Sequence, residues 1–380
     1  MMMRLSIGLL AFMTLPALGD STDQAIRMHN RLTGAPPSSA VLQQMTTLIE
    51  QGNPKDAALI ATQDENFLKI TIKNMVTPWT NEAGEINAPL NDYTATLMGV
   101  IRDDLSFKSI FDDISYVGAP DLNLPEYSNA NNEHYEAFEA GGFSYSNPAQ
   151  FIRSTQTALT GFEIGAGIMT SRGFAEAYYD AGTNRLPFAA VMATYTCREM
   201  EQLHDNTLPK GWIRQDVERA PGGDVKLYLA KCSGCHGLMD GMTRAFAHND
   251  FVEGVNIYDS TTIPAKMTRN AYIFPEGRVV TGDDWVNLMT TGHNADMGWK
   301  AAPADGLYTG QGLVSFGQMI VETEAFDQCV PKKVYQQVCL REVDSEEEKS
   351  HVDQLSQSFV SGGYKMKALF AEAATLCSGE

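Results

Sequence analysis

Leu227-Tyr228-Leu229-Ala230-Lys231-Cys232-Ser233-Gly234-Cys235-His236 places two thiols and an imidazole within little more than one turn of a predicted helix. Cys-x-x-Cys-His is the attachment motif of a c-type haem. Two thiols three positions apart can each add to a vinyl group of the porphyrin. The next side chain then projects an imidazole beneath the iron. Cys232 and Cys235 are therefore expected to carry one covalent haem c, with His236 as its proximal ligand. Apolar Val225, Leu227, Tyr228 and Leu229 are expected to pack the helix against the macrocycle and the core. Three other readings compete: a zinc site, a redox dithiol and a disulfide. Zinc would need two further ligands, and no second Cys-x-x-Cys or paired-His motif is present. A redox dithiol is expected beside a βαβ pattern, which the sequence lacks.

The expected sixth iron ligand is Met297, 61 residues after His236, in a loop from Gly292 to Gly298 that follows a helical stretch predicted over 283–289. This resembles small single-haem cytochromes c, whose axial Met sits on a loop at about that distance. A Met/His pair would make the iron low-spin and raise its potential. Eighteen methionines are available and most methionines fill core, so Met239, Met242, Met267, Met289, His248 and His293 remain alternatives. Trp299 and Trp285 flank the loop and are expected to pack the haem pocket. Arg244 and Arg269 are candidates for haem propionates, because a guanidinium matches a carboxylate bidentately.

Working outward, Met1–Arg4 is basic, Leu5–Leu15 apolar, and Ala17-Leu18-Gly19 small, the pattern of a secretory signal peptide. Leu5–Leu15 is too short to span a bilayer, and nothing later is long and apolar enough. A periplasmic or extracellular protein without a membrane span is expected. The formal net charge of −19 becomes −20 once Arg4 leaves with residues 1–19. Such acidity disfavours nucleic acid as a partner and favours encounter with a basic docking patch on a redox protein. It also keeps an exported protein soluble. Beyond the haem motif, Cys197, Cys329, Cys339 and Cys377 are expected to form disulfides in an oxidising compartment. Four cysteines allow three pairings. Pro331, expected to end one helix and begin another, favours Cys329 with Cys339, leaving Cys197 with Cys377.

The fold class expected is mainly α, with helical domains surrounding a cytochrome c-like single-haem unit. After Leu32-Thr33-Gly34-Ala35-Pro36-Pro37, Ser38-Ser39 can cap a helix whose Val41, Leu42, Met45, Leu48 and Ile49 repeat at helical spacing. Further helices are predicted over 55–60, 67–75, 93–101 and 106–114, then irregular structure over 118–148. Helical periodicity returns over 150–200, broken at Gly182-Thr183-Asn184. Residues 205–223, rich in Pro and Gly, read as a linker. Four closing helices are predicted over 313–326, 334–340, 346–359 and 365–376. The boundaries that follow are 1–19 for the signal peptide, 20–150 for an N-terminal helical domain, 151–220 for a helical segment with linker, 221–305 for the haem unit and 306–380 for a C-terminal helical domain.

Arg31-Leu32-Thr33-Gly34-Ala35-Pro36-Pro37-Ser38 resembles the opening motif of the planctomycete- and myxobacterial-type cytochrome c-associated domains of unknown function. Gly167-Ile168-Met169-Thr170, Thr183-Asn184-Arg185 and the helix ending in Cys197-Arg198 resemble a second domain of that group. There the haem motif is followed by Asp and Phe positions like Asp240, Phe246 and Phe251, which makes Phe246 a candidate haem neighbour. Gly363-Tyr364-Lys365-Met366-Lys367-Ala368-Leu369-Phe370 resembles a third. The resemblance touches both ends and the middle and leaves residues 120–150 uncovered. It implies a mostly helical, exported, haem-bearing protein and is silent about any reaction. Members are often far larger and fused to other modules.

His204-Asp205 with Glu199 could form an acid/base pair, although a solvated helical face is the simpler reading. No Gly-rich phosphate loop, His-Glu-x-x-His motif or nucleophile elbow occurs. The function expected is one-electron transfer to or from a protein partner, rather than catalysis. The alternatives are a haem enzyme or sensor with an open distal site, and a binding or assembly module that the haem staples together.

Overall fold

The computed structural model describes residues 21–217, 223–268, 277–299 and 308–378. The predicted signal peptide and Arg269 lie outside the described residues. The chain is mainly helical, as its periodicity predicts. Ser38 caps the helix Ser39–Glu50, its side chain accepting the Val41 N–H. Ser345 and Glu348 form a capping box at the start of Glu346–Ser361. Asn184, left-handed at φ 55°, turns the chain into Leu186–Tyr195 where the periodicity breaks.

The two ends of the chain share one core. Helix Pro54–Ala61 packs on the last helix, Met366–Cys377, and Ser21–Thr33 contacts both. Phe67 meets Phe370 edge-on at 5.1 Å, the Phe107 N–H donates to the Tyr364 carbonyl, and Lys55 pairs with Glu372 at 2.6 Å. A single apolar cluster runs from Ala25 to Cys377.

Four closing helices are present, but their breaks differ from prediction. Glu324–Cys339 continues straight through Pro331. A mid-helix proline forfeits one hydrogen bond and strains the preceding turn. Here the Thr323 cap and the burial of Phe326, Val330, Val334 and Val338 outweigh that cost. The consequence is a correction to the disulfides. Ten residues of continuous helix separate Cys329 from Cys339 by roughly 15 Å, far beyond the reach of a disulfide. The pairs formed are Cys197–Cys329 and Cys339–Cys377, with Cα separations of 5.4 and 5.5 Å.

Among the described residues three antiparallel ribbons interrupt the helices: Ser115–Gly118 with Phe151–Ser154, Asn249–Val252 with Val255–Tyr258, and Asp284–Asn287 with Tyr308–Gln311. The third replaces the helix predicted over 283–289. Trp285 and Gly310 are paired across it, and no side chain would fit at Gly310 beneath the indole. Residues 205–217 are also more than a linker, since Ile213, Arg214 and Asp216 are buried within the fold.

Candidate functional site

Asp224 caps the helix Val225–Lys231, accepting the N–H groups of Lys226 and Leu227. Cys232 then breaks the axis, and a second helix runs Ser233–Met242. That helix is buried along most of its length, at Ser233, Gly234 and Gly237 through Met242. Cys235 and His236 are the partly exposed exceptions, and Cys232 just ahead of them is partly exposed too. Positions three and four apart lie on one helical face. The motif side chains thus form the accessible stripe of an otherwise enclosed helix. Two glycines permit the enclosure. A Cβ at Gly234 would stand 2.4 Å from the His204 ring, and one at Gly241 would stand 2.8 Å from Val286.

Cys232 and Cys235 are not disulfide-bonded. Cys232 packs on a small cluster of Ile213, Val217 and Tyr228. The Cys235 Sγ lies 3.5 Å from the Met200 carbonyl. Burial, reinforced by Glu201, pushes the Cys235 thiol above its ordinary value. Among the described residues no group of three or more His, Cys, Asp or Glu is placed to hold a metal ion.

His236 sits above a buried charge network. Its Nδ1 lies 3.1 Å from Asp240 Oδ1, one turn on along the same helix. Arg185 grips Asp240 with both Nε (2.7 Å) and Nη2 (3.0 Å), and the Arg214 backbone N–H donates to Oδ2 at 2.8 Å. Asp216 bridges the two guanidiniums, accepting from Arg185 Nη1 and Nη2 and from Arg214 Nε and Nη2. Arg214, Asp216 and Asp240 are buried, and the charges cancel two against two. Burial alone would raise the Asp240 carboxyl, but the Arg185 guanidinium and the His236 hydrogen bond outweigh it and hold it well below the carboxylate range. For Arg185, burial is likewise outweighed by Asp240 and Asp216, and its value rises. For Arg214, burial and the neighbouring Arg185 prevail and lower it.

The other candidates are placed as follows. Tyr228 is buried with its ring centroid 6.1 Å from that of His236. Met297 is fully buried at the end of a short 3-10 turn, Gly292–Met297. That turn is tied to the helix Met200–Leu203 through Asn294 Nδ2 to the Leu203 carbonyl (2.9 Å) and through His293, whose Nε2 lies 3.0 Å from the Gln202 carbonyl. Cys235 touches the same short helix, so Met200–Leu203 is the element common to the motif and the proposed ligand loop. Trp299 donates its indole N–H to the Asn294 carbonyl, closing the loop. Arg244 is engaged by Asp284, through its carbonyl at 2.7 Å and its carboxylate at 2.8 Å. Phe246 is buried, stacking edge-on against Phe316 at 5.1 Å and tilted against Tyr179. Trp285 lies in the same aromatic group, edge-on to Phe316. His248 Nδ1 lies 2.9 Å from the Thr262 carbonyl. His204 packs over Gly234, and Asp205 bonds Thr207 rather than His204.

Sequence reasoning missed Arg214 and Asp216 altogether. Asp240 and Arg185 entered it only through the resemblance. One local signal existed: an acid four residues after His236, on the same helical face. No protein-family profile matches the chain, and neither a curated protein nor a solved structure does.

Proposed function

We propose that this chain is an exported monohaem c-type cytochrome that passes single electrons to and from a protein partner. The carrying observation is the accessible stripe of Cys232, Cys235 and His236 on an otherwise buried helix, with both thiols unpaired while the other four cysteines are all in disulfides. Unpaired thiols at this spacing suit two thioether bonds, each formed by adding S–H across a vinyl group without an oxidant. Beside them Val225 and Leu229, four residues apart on one helical face, are exposed at 53% and 44%, and apolar side chains so placed suit the cover of a macrocycle. When bound, haem supplies a reversible one-electron ferric/ferrous couple.

The chain's own residues would do the rest. Cys232 and Cys235 hold the group, and His236 offers Nε2 to the iron because Nδ1 faces Asp240. Met297 is the proposed sixth ligand, and Trp299 with Asn294 fixes the shape of its loop. The helical shell around residues 224–299 is then the scaffold of a cytochrome c-like unit, in keeping with the resemblance to the cytochrome c-associated domains. Net acidity favours a partner with a basic face. Among the described residues no helix is long and apolar enough to cross a membrane.

The test is an optical spectrum of protein exported from a host that attaches haem c. A low-spin spectrum with fast reversible reduction, lost on Met297→Ala, is the expected result. A five-coordinate ferrous form that binds carbon monoxide at once would replace this reading with a haem enzyme or sensor open at the distal side.

A further inference from the structure

We infer that Asp240 is a positioning residue for the iron ligand, fixing the His236 tautomer and lowering the reduction potential through it. The inference rests on the haem reading of Cys232, Cys235 and His236. It begins with what Asp240 can accept. Its two oxygens take Nε and Nη2 of Arg185 and the Arg214 backbone N–H, all donors. A carboxylate gripped bidentately by a guanidinium keeps no proton of its own. The remaining contact, His236 Nδ1 at 3.1 Å, must therefore be an N–H donating to Oδ1. That leaves the lone pair on Nε2, the nitrogen directed away from Asp240.

The network is also rigid and electrically closed. Asp216 and Asp240 balance Arg185 and Arg214, so a neutral His236 leaves the buried set uncharged. His236, at 18% side-chain exposure beside an Asp240 that is fully buried, is the member through which the network reaches the accessible stripe. A carboxylate accepting Nδ1–H makes the imidazole a stronger donor. A stronger donor favours ferric over ferrous iron and pulls the potential down. A backbone carbonyl in that place would orient the ring with less charge.

The experiment compares wild-type holoprotein with Asp240→Asn, which keeps an acceptor at Oδ1 and removes the charge. Haem content, midpoint potential and the ferric electron paramagnetic resonance spectrum are read together. The expected result is haem attached in both, with the variant's midpoint shifted upward and its g-values moved. Haem attached in both with an unchanged midpoint and spectrum would overturn the inference and leave Asp240 a purely structural anchor. Wild-type protein that carries no haem would overturn the haem reading itself, and the inference with it. A measurement on the wild type alone covers the case in which Asp240→Asn fails to fold. In the ferrous state, nitrogen-15 spectra should show a His236 Nδ1 proton far downfield and slow to exchange. A proton exchanging freely with solvent contradicts the inference.

Discussion

From Ser21 to Cys197 and again from Leu313 to Cys377, most buried side chains are apolar and nearly all of those belong to one cluster, with Asp92 a deeply buried acidic exception. Between Asp205 and Trp299 some of the deepest are Arg214, Asp216 and Asp240. The second region leans one face on the common core, through Leu238, Met242, Phe246 and Trp285. Elsewhere its described residues form two clusters of three buried residues each, Ile213, Val217 and Tyr228, then Ala247, Met267 and Val280. Both disulfides close the first region, and neither includes a residue between 205 and 299. The shell thus closes with apolar area and covalent staples, whereas the motif region depends on a buried charge network and, in the proposed function, on a covalent macrocycle. Apolar packing tolerates change by degrees, but a charge network loses a partner all at once.

That contrast predicts its own largest effect. Asp216→Ala leaves the Arg185 and Arg214 guanidiniums in a buried site with one carboxylate between them. Removing one partner of such a set costs about 3–5 kcal/mol. Hydrogen exchange should show protection lost over residues 205–299 and retained in Asp92–Arg102 and Met366–Cys377. Equal loss in both would mean that shell and motif region unfold as one unit, and the comparison would fail.

The staples come next. Replacing Cys197 and Cys329 together by serine frees a loop of 132 residues and should cost about 2–5 kcal/mol. Urea unfolding followed by tryptophan fluorescence should reveal it as a lowered midpoint. Non-reducing peptide maps of the wild type should recover Cys197 linked to Cys329 and Cys339 linked to Cys377. A peptide linking Cys329 to Cys339 would refute the helix through Pro331.

The smallest effect sharpens the contrast between a buried and a half-exposed ion pair. Asp103 accepts from Arg102 at 2.7 Å and from the Tyr116 hydroxyl at 2.6 Å, within the shell. Burial would raise its carboxyl, but these two partners lower it below the ordinary value. A carboxylate depressed in the folded state adds stability above its unfolded value, near 3.9, and loses it as pH falls through the folded one. With solvent screening the pair is worth about 0.5 kcal/mol. Asp103→Asn should therefore be slightly less stable than wild type at pH 7 and indistinguishable from it well below pH 4. A gap that persists in acid would point to the Tyr116 hydrogen bond alone.

What the sequence reveals follows the range of each interaction. Helices carry their period and caps in neighbouring residues, so Ser38 announces its helix in advance. The Cys-x-x-Cys-His motif is five residues long and equally local. Ribbons of four residues, such as Asp284–Asn287, are too short to show alternation, and their partners lie far along the chain. Pro331 misled because its usual effect is local while the forces overriding it are tertiary: Phe326, Val330 and Val334 are buried on the same helix. Arg185, the pair Arg214 and Asp216, and Asp240 come from three stretches of chain and acquire meaning only where they meet beneath His236.

The most direct test of the central claim is the intact mass of the exported protein after denaturation, in wild type and in the Cys232→Ser, Cys235→Ser double variant. Wild type should carry the added mass of one haem that survives denaturation, with a reduced pyridine haemochrome spectrum of two thioether bonds, and the double variant should carry none and lose exchange protection over residues 224–299. A wild-type mass equal to that of the bare processed chain, with Cys232 joined to Cys235, would contradict it.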